Sequence, residues 1–441
     1  MAGRPGWRRH ETADFPARPD LHRPATAGEL LALVNDALAY DAGLAGGRAS
    51  VEIGRLEVPR ARSALLPRLE GGWGRAYNRI ETEDVPSISY RQNGWTVSLT
   101  QPLFDWQRWI ALKQAGTASA RSRLEYAQAW QDLVLRTARS YFDALQAQDV
   151  LELSQGYLDA VQAQHSLVLH QHQGGEATLI DMREAQVRLD SARLQRRSAR
   201  HALDSKLREL ESLSGRPARL APRNLASIPA PWLEPGSIEQ WVHQAETKNY
   251  GVQLGQLKVR AAQDDAERTR AQRYPVVSLS GTHSPSGAAS GYARPTTTTT
   301  AMLTVTVPLF TGGEIRTRVR QALASEDLAR NELLEATRQA SSDSRESFEN
   351  FIWARERNET LNDLVQARQA ALAATRMGYL AGSRGNLDVL RAQEALHDSS
   401  KELVQAHHDM LTSYLSLKAD AAALDLGDIA RLDHWLANDA H

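Results

Sequence analysis

The run Ser98-Leu99-Thr100-Gln101-Pro102-Leu103-Phe104 has a counterpart in Thr304-Val305-Thr306-Val307-Pro308-Leu309-Phe310, a shift of 206 positions. Downstream, Asp181-Met182-Arg183-Glu184-Ala185-Gln186 is answered by Asp388-Val389-Leu390-Arg391-Ala392-Gln393 at a shift of 207. Upstream, Leu66-Pro67 matches Tyr274-Pro275 at 208. One nearly constant offset over on the order of a hundred residues marks an internal duplication, and it restricts the fold to two copies of one unit. The halves are expected at 26–215 and 237–424, joined by a linker over 216–236 that carries Pro217, Pro222, Pro229, Pro231 and Pro235. Residues 1–25 read as a disordered leader and 425–441 as a short polar C-terminal tail.

Each half holds the same pieces. Glu29 to about Ala64 reads as mostly helical, interrupted around Gly43–Gly47 and near Pro59. Strands are expected at about 69–79 and 95–103 in the first half and about 276–283 and 298–309 in the second. Between the first two lies a polar stretch with Glu81, Glu83, Asp84, Pro86 and Asn93-Gly94. Trp95, Val97 and Leu99 alternate with Thr96, Ser98 and Thr100, while Leu303, Val305 and Val307 alternate with Thr304 and Thr306. A period of two gives each strand an apolar face and a hydroxyl face.

A long proline-free helix follows each Pro-Leu-Phe, from Trp106 to about Leu169 and from Glu314 to Tyr379. At ~1.5 Å per residue each would reach on the order of 95–100 Å. Narrow apolar stripes run along them: Leu135, Ala138, Phe142, Leu145, Leu158, Val161 and Val168 in the first; Leu361, Leu364, Val365, Ala371, Leu372 and Met377 in the second. Such stripes suit coiled-coil seams. Glycine turns at Gly174-Gly175 and Gly382 then send a return helix back, about 178–214 and 386–424.

Composition narrows the function. The net charge of −1 and the absence of a basic stripe give no footprint for nucleic acid. With no cysteine there are no disulfides, thiolate metal sites or lipidated cysteine. No nucleophile elbow, phosphate-cradling glycine loop or zinc-binding helix motif occurs, so no catalytic residue or cofactor is assigned and the chain reads as a non-enzyme. His170, His172 and the His407-His408 pair read as solvated positions rather than metal ligands.

Four amphipathic strands of about ten residues match the span of outer-membrane strands, but four cannot close a barrel. Pooling sectors from several copies resolves this, with the hydroxyl face lining a wet lumen and the helices continuing as a tube. The competing expectation is a soluble coiled-coil scaffold with ordinary hairpins. Met1 to Asp20 shows no apolar signal region, which taken alone points to the cytosol. The strand faces outweigh it, and an upstream start, a trimmed leader or a mis-called start codon is expected.

Leu99-Thr100-Gln101-Pro102-Leu103-Phe104-Asp105 with Trp109, Gly378-Tyr379-Leu380-Ala381-Gly382 and Asp388-Val389-Leu390, in duplicate architecture, resemble the TolC family of outer-membrane efflux and secretion channels. The resemblance covers roughly 27–424. It implies a mainly α protein with a small β part, a homotrimer with a twelve-stranded barrel, and an α-helical barrel crossing the periplasm. It also implies docking to a periplasmic adaptor and an inner-membrane transporter, and contact with outer-membrane lipid. The first-repeat motif looks closer to secretion-type members, which leaves the cargo unassigned between protein and small molecule.

The resemblance further implies a periplasmic gate near the glycine turns. By position Asp181 would bond Tyr379, and Arg384 would reach the first-repeat turn. The family's narrowest ring carries two aspartates one helical turn apart; Asp388 falls on the first, but Arg391 stands at the second. Arginines beside aspartates weaken a cation-binding field, so weaker cation preference is expected. Asp181 and Asp388 also fit plain helix capping. Trp73, Tyr77, Trp95, Phe104 and Phe310, with Trp106, fit interfacial aromatic belts or ordinary cross-strand pairs.

Overall fold

The computed structural model describes residues 29–217, 220, 231, 233, 234, 236–286 and 296–438. The leader at 1–25, most of the linker at 216–236 and the connection at 287–295 lie outside them.

Two short helices open the described chain, α1 (Glu29–Tyr40) and α2 (Ala42–Ser63). The break between them falls at Asp41, whose carboxylate accepts from the Leu44 N–H at 2.6 Å. The interruptions expected at Gly43–Gly47 and Pro59 do not occur. The Asp41 cap starts the helix ahead of the glycines, and Pro59 is carried inside it.

Strands β1 (Arg68–Thr82) and β2 (Val85–Phe104) form one long hairpin that turns at Glu83–Asp84, with Asp84 in the left-handed region that aspartate tolerates. Polar residues expected to be a loop are therefore strand. Tyr77 opposes Arg91 and Ile80 opposes Ile88, so the ladder continues to the turn. Strands β3 (Val276–Ser286) and β4 (Thr296–Thr306) complete an antiparallel sheet of order β1-β2-β3-β4. β4 begins with the first residue of the threonine run and stops short of Pro308, which has no N–H for the ladder.

Helices α3 (Trp106–Gln173) and α7 (Glu314–Leu380) are 68 and 67 residues long. They return as α4 (Leu179–Ser214) and α8 (Asn386–Asp420). The second half opens with α5 (Ile238–Lys248) and α6 (Tyr250–Ala271). The order α2-β1-β2-α3-α4 thus recurs as α6-β3-β4-α7-α8.

Ala138, Phe142, Leu145, Val161 and Val168 of the expected seam are buried, as are Leu361, Val365 and Leu372. Leu364, Ala371 and Met377 are exposed instead. At helical spacing these three lie off the face that carries buried Leu361, Val365 and Leu372. The main core lies midway along the bundle. There Phe142, Tyr141, Phe351, Met410 and Leu411 meet Leu30 and Val34 of α1.

The polar tail expected after 425 is instead a helix, α9 (Leu426–Asn438). Its Ile429, Leu432 and Leu436 join that core, and the Asp433 carboxylate accepts from the Leu30 and Leu31 N–H groups at the start of α1. The Asp433 carboxylate sits where the helix dipole favours an anion. The apolar spacing of residues 429, 432 and 436 carries the helical period that the polar neighbours mask.

Candidate functional site

The register fixes which side chains share a face of the sheet. Leu69 opposes Leu99, Trp73 opposes Trp95, and Gly71 opposes Val97. Leu279 opposes both Gln101 and Leu303, and Val277 opposes Val305. One face therefore carries Leu69, Trp73, Tyr77, Trp95, Val97, Leu99, Leu279, Leu303 and Val305. The other carries Thr96, Ser98, Thr100, Ser278, Ser280, Thr282, Thr300 and Thr304, where the Thr96 and Ser284 hydroxyls lie 3.1 Å apart. The alternation read from single strands survives across all four.

A bulge at Pro102–Phe104 turns Phe104 onto the apolar face, opposite Val277. From the Trp73–Trp95 rung to the Phe104–Val277–Val305 rung is about nine residues of β2. At ~3.3 Å per residue and ~40° of tilt this spans roughly 23 Å, close to the ~25 Å apolar band of an outer-membrane barrel. Trp73 and Tyr77 are 72% and 65% exposed, and Leu303 is 61% exposed, although all lie on the apolar face. Among the described residues β1 and β4 each pair on one side only, leaving two bare edges. Trp73 and Trp95 are cross-strand partners as well as end-of-band aromatics, so the two expectations for them describe one rung.

Where sheet meets helix, the Pro-Leu-Phe motif is tied down in the first half. The Gln101 amide donates to the Leu65 carbonyl at 3.0 Å and to the Pro102 carbonyl at 2.7 Å. Asp105 caps α3 through the Arg108 N–H, and the Arg108 guanidinium donates to the Ala64 carbonyl at 2.5 Å. In the second half Leu309 and Phe310 are 93% and 91% exposed. Phe104 is half as exposed as Phe310, at 41%.

At the far end of the helices the two glycine turns each hold one residue in the left-handed region, Gly175 and Gly382. Thr178 caps α4. Its N–H and hydroxyl donate to the Asp181 carboxylate at 3.1 and 2.6 Å, and its hydroxyl oxygen accepts from the Asp181 N–H. The Asp388 carboxylate accepts from the Gly385 N–H at 3.1 Å, but Gly385 has no side chain to return the bond.

The expected Asp181–Tyr379 bridge is absent within the chain. Asp181 is engaged by its own cap, and the Tyr379 hydroxyl donates to Gln171 at 2.7 Å. Arg384 folds over its own turn rather than the first-repeat turn: its N–H bonds the Gly378 carbonyl, and a Cβ on Gly378 would meet its Cγ at 2.8 Å. Arg391 lies three residues beyond Asp388 and is exposed, while Val389 and Leu390 are buried. Asp388 and Arg391 thus share a helix face turned away from the packed side.

Sequence reasoning missed the residues that join the two helix pairs here. Gln164 of α3 donates to Asn386 of α8 at 2.7 Å, and Arg188 of α4 meets Glu394 of α8 at 2.5 Å. Further along, Tyr157 stacks on His397 at 4.6 Å, and Gln146 bonds Gln405. Asp143 of α3 accepts from His408 at 2.6 Å and from Lys206 of α4 at 2.7 Å. His407 and His408, expected to be solvated, are instead packed between helices; His407 meets Asn358. Burial alone would lower the His408 pKa, but Asp143 and Asp409 beside it carry it up to about 9. Burial likewise opposes ionisation of Asp143 and Asp409, yet His408, with Lys206 and Gln405, holds both below the usual carboxylate value.

A family model described as outer membrane efflux protein matches residues 33–216 and 241–421, the two halves of the duplication. The chain belongs to the outer membrane efflux protein family. This confirms the TolC-type resemblance. The chain is 29% identical over 417 residues to the proteases secretion protein PrtF of Dickeya chrysanthemi, covering 92% of this chain and 89% of PrtF. It is 30% identical over 393 residues to the alkaline protease secretion protein AprF of Pseudomonas aeruginosa, covering 86% and 81%. The crystal structure of CusC superposes with a TM-score of 0.80 at 16% identity, over 93% of this chain and 98% of that one. Long helix pairs with a small amphipathic sheet are thus the fold of an outer membrane efflux protein, and the soluble-scaffold alternative finds no support among these relatives.

Proposed function

We propose that this protein is the outer-membrane exit channel of a type I secretion or tripartite efflux system, a passive conduit gated at its periplasmic end. The observation that carries the reading is the sheet: one face apolar over the thickness of a membrane, the other hydroxyl-lined, with both edges unpaired. Unpaired edges cannot stand in lipid, so β1 of one copy pairs with β4 of the next. Three copies give twelve strands, enough to close. The helices then continue the barrel into the periplasm, where the far turns meet an adaptor and an inner-membrane transporter.

The names of PrtF and AprF favour protein secretion over drug efflux. Deleting the gene should leave a secreted protein inside the cell and its medium depleted. Unchanged secretion with raised sensitivity to small toxic compounds would favour efflux instead. Cell fractionation tests the channel reading itself: the protein should pellet with the outer membrane and leave it only in detergent as an oligomer.

At the far end, Gln171–Tyr379, Gln164–Asn386 and Arg188–Glu394 hold the two helix pairs together and act as the closed gate. Asp388 and Arg391 face the constriction. Mixed charge there gives weaker cation preference than an all-acidic ring. Planar-bilayer recordings test it, since strong cation preference abolished by Asp388→Ala would contradict the mixed-charge ring.

A further inference from the structure

The apolar face of the β1–β2 hairpin changes character beyond the Trp73–Trp95 rung. Continuing up that face, the alternate positions are Arg75, Tyr77 and Arg79 on β1 and Asn93, Arg91 and Ser89 on β2. Arg75 opposes Asn93, Tyr77 opposes Arg91, and Arg79 opposes Ser89, so Arg91 lies diagonal to both other arginines. Diagonal neighbours sit ~7–8 Å apart, within reach of long side chains. Arg79 is occupied by Glu81 at 2.6 Å. Among the described residues no carboxylate pairs with Arg75 or Arg91. A shallow depression lies between them, lined by Arg75, Ala76, Tyr77 and Arg91.

This placement rests on the channel reading above. The helices attach at Arg68 and Phe104, so the Glu83–Asp84 turn marks the opposite, outer side of the membrane. Arg75 lies two residues past Trp73, and Arg91 lies opposite a residue four past it. At ~3.3 Å per residue and ~40° of tilt these are roughly 5 and 10 Å beyond the aromatic rung, the depth of headgroups rather than of acyl chains. Two guanidiniums side by side on a lipid-facing surface repel each other and are costly without an anion between them. Guanidinium forks match phosphate oxygens two at a time, and a pair of them balances a dianionic phosphate monoester better than a singly charged phosphodiester.

We propose that Arg75 and Arg91, with the Tyr77 hydroxyl between them, form a binding site on the outer surface of the barrel for the phosphate monoester of a phosphorylated glycolipid in the outer leaflet. The site anchors each copy at a fixed depth and adds a lipid contact beside β1, the strand that must pair with a neighbour.

Native mass spectrometry of the purified oligomer, after exchange into detergent with defined lipids, tests the proposal. The probes are bisphosphorylated lipid A, the same lipid stripped of phosphate, and phosphatidylglycerol. The wild-type protein is expected to retain lipid A and to lose it about tenfold more readily in the R75Q/R91Q variant, a step of about 1.4 kcal/mol. The R75K/R91K variant should keep most of the retention, and the dephosphorylated lipid should bind wild type no better than lipid A binds R75Q/R91Q. Equal retention by wild type and R75Q/R91Q, equal retention of the stripped lipid or of phosphatidylglycerol, or full displacement by millimolar inorganic phosphate would each overturn the site. A wild-type protein that forms no oligomer and takes up no lipid would sink the channel reading as well; an oligomer holding lipid A regardless of Arg75 and Arg91 sinks only the glycolipid site.

Discussion

The two halves carry the same elements in the same order, yet they secure their ends differently. At the membrane joint, Gln101, Asp105 and Arg108 fasten the start of α3 to the end of α2. The corresponding stretch before α7 leaves Leu309 and Phe310 bare and passes through Gly312 and Gly313, both in the left-handed region. At the far turn, the Thr178 side chain closes a two-way cap with Asp181, whereas Gly385 returns only its backbone carbonyl to the Asp388 N–H. A duplicated pattern therefore need not mean duplicated tethering. The second half leaves its membrane joint uncovered, and its far turn is held to the first half through Tyr379–Gln171 and Asn386–Gln164.

The largest effect should come from making the bare joint polar. L309D/F310D is expected to reduce the fraction of oligomer on unheated gels by tenfold or more, because aspartates in a covered apolar interface cost several kcal/mol. Helix content by circular dichroism should remain. An undiminished oligomer would show that the second joint needs no neighbour.

Next in size is the contact that joins the halves at His408. Its pKa, raised to about 9 from 6.5, means its ion pairs stabilise fully below about pH 6.5 and fade as pH rises through about 9. The difference amounts to on the order of 3 kcal/mol. Asp143 and Asp409, held low, lose their share only as pH falls below the ordinary carboxylate value of 3.8. Melting temperature should therefore drop between pH 6.5 and 9.5 in wild type, and His408→Gln should flatten that slope. An unchanged slope would place the charge elsewhere.

At the first joint, Gln101→Ala and Arg108→Ala should each cost about 1 kcal/mol, the usual worth of a hydrogen bond, read from denaturant melts. The turns give the smallest and most telling contrast. Thr178→Ala should cost about 1 kcal/mol, while Gly385→Ser should add a few tenths by supplying the missing cap. A Cβ at 385 meets nothing nearer than Asp388 Oδ2 at 3.9 Å, so the change is sterically free. If both substitutions moved stability the same way, the asymmetry between the turns would have no energetic content.

What the chain revealed before its fold was known follows from periodicity. Alternating Val and Thr at 303–307 and 95–100 announce a half-wet sheet, and apolar steps of three and four announce the long helices, because each signal lies within one element. Contacts between elements left no such trace. Asp143 and His408 are 265 positions apart, Gln164 and Asn386 are 222 apart, and neither pair sits in a repeating pattern. Asp181 was ambiguous for a different reason. The same carboxylate serves a helix cap or a bridge to a tyrosine, and only the Thr178 hydroxyl three residues earlier decides between them. The terminal helix α9 was missed because Asp428, Arg431 and Asp433 interleave with its buried Ile429, Leu432 and Leu436 and mask the apolar period.

Central to all of this is the claim that β1 and β4 find each other only between copies. The chain has no cysteine, so introduced pairs report without background. Within one copy these strands lie three strand spacings apart, ~14 Å, too far for a disulfide. A cysteine at Gly71 combined in turn with cysteines at residues 299–305, oxidised in intact outer membranes, should give covalent ladders up to three copies at alternating positions. Monomers at every position, from protein shown to be in the membrane, would contradict the shared barrel.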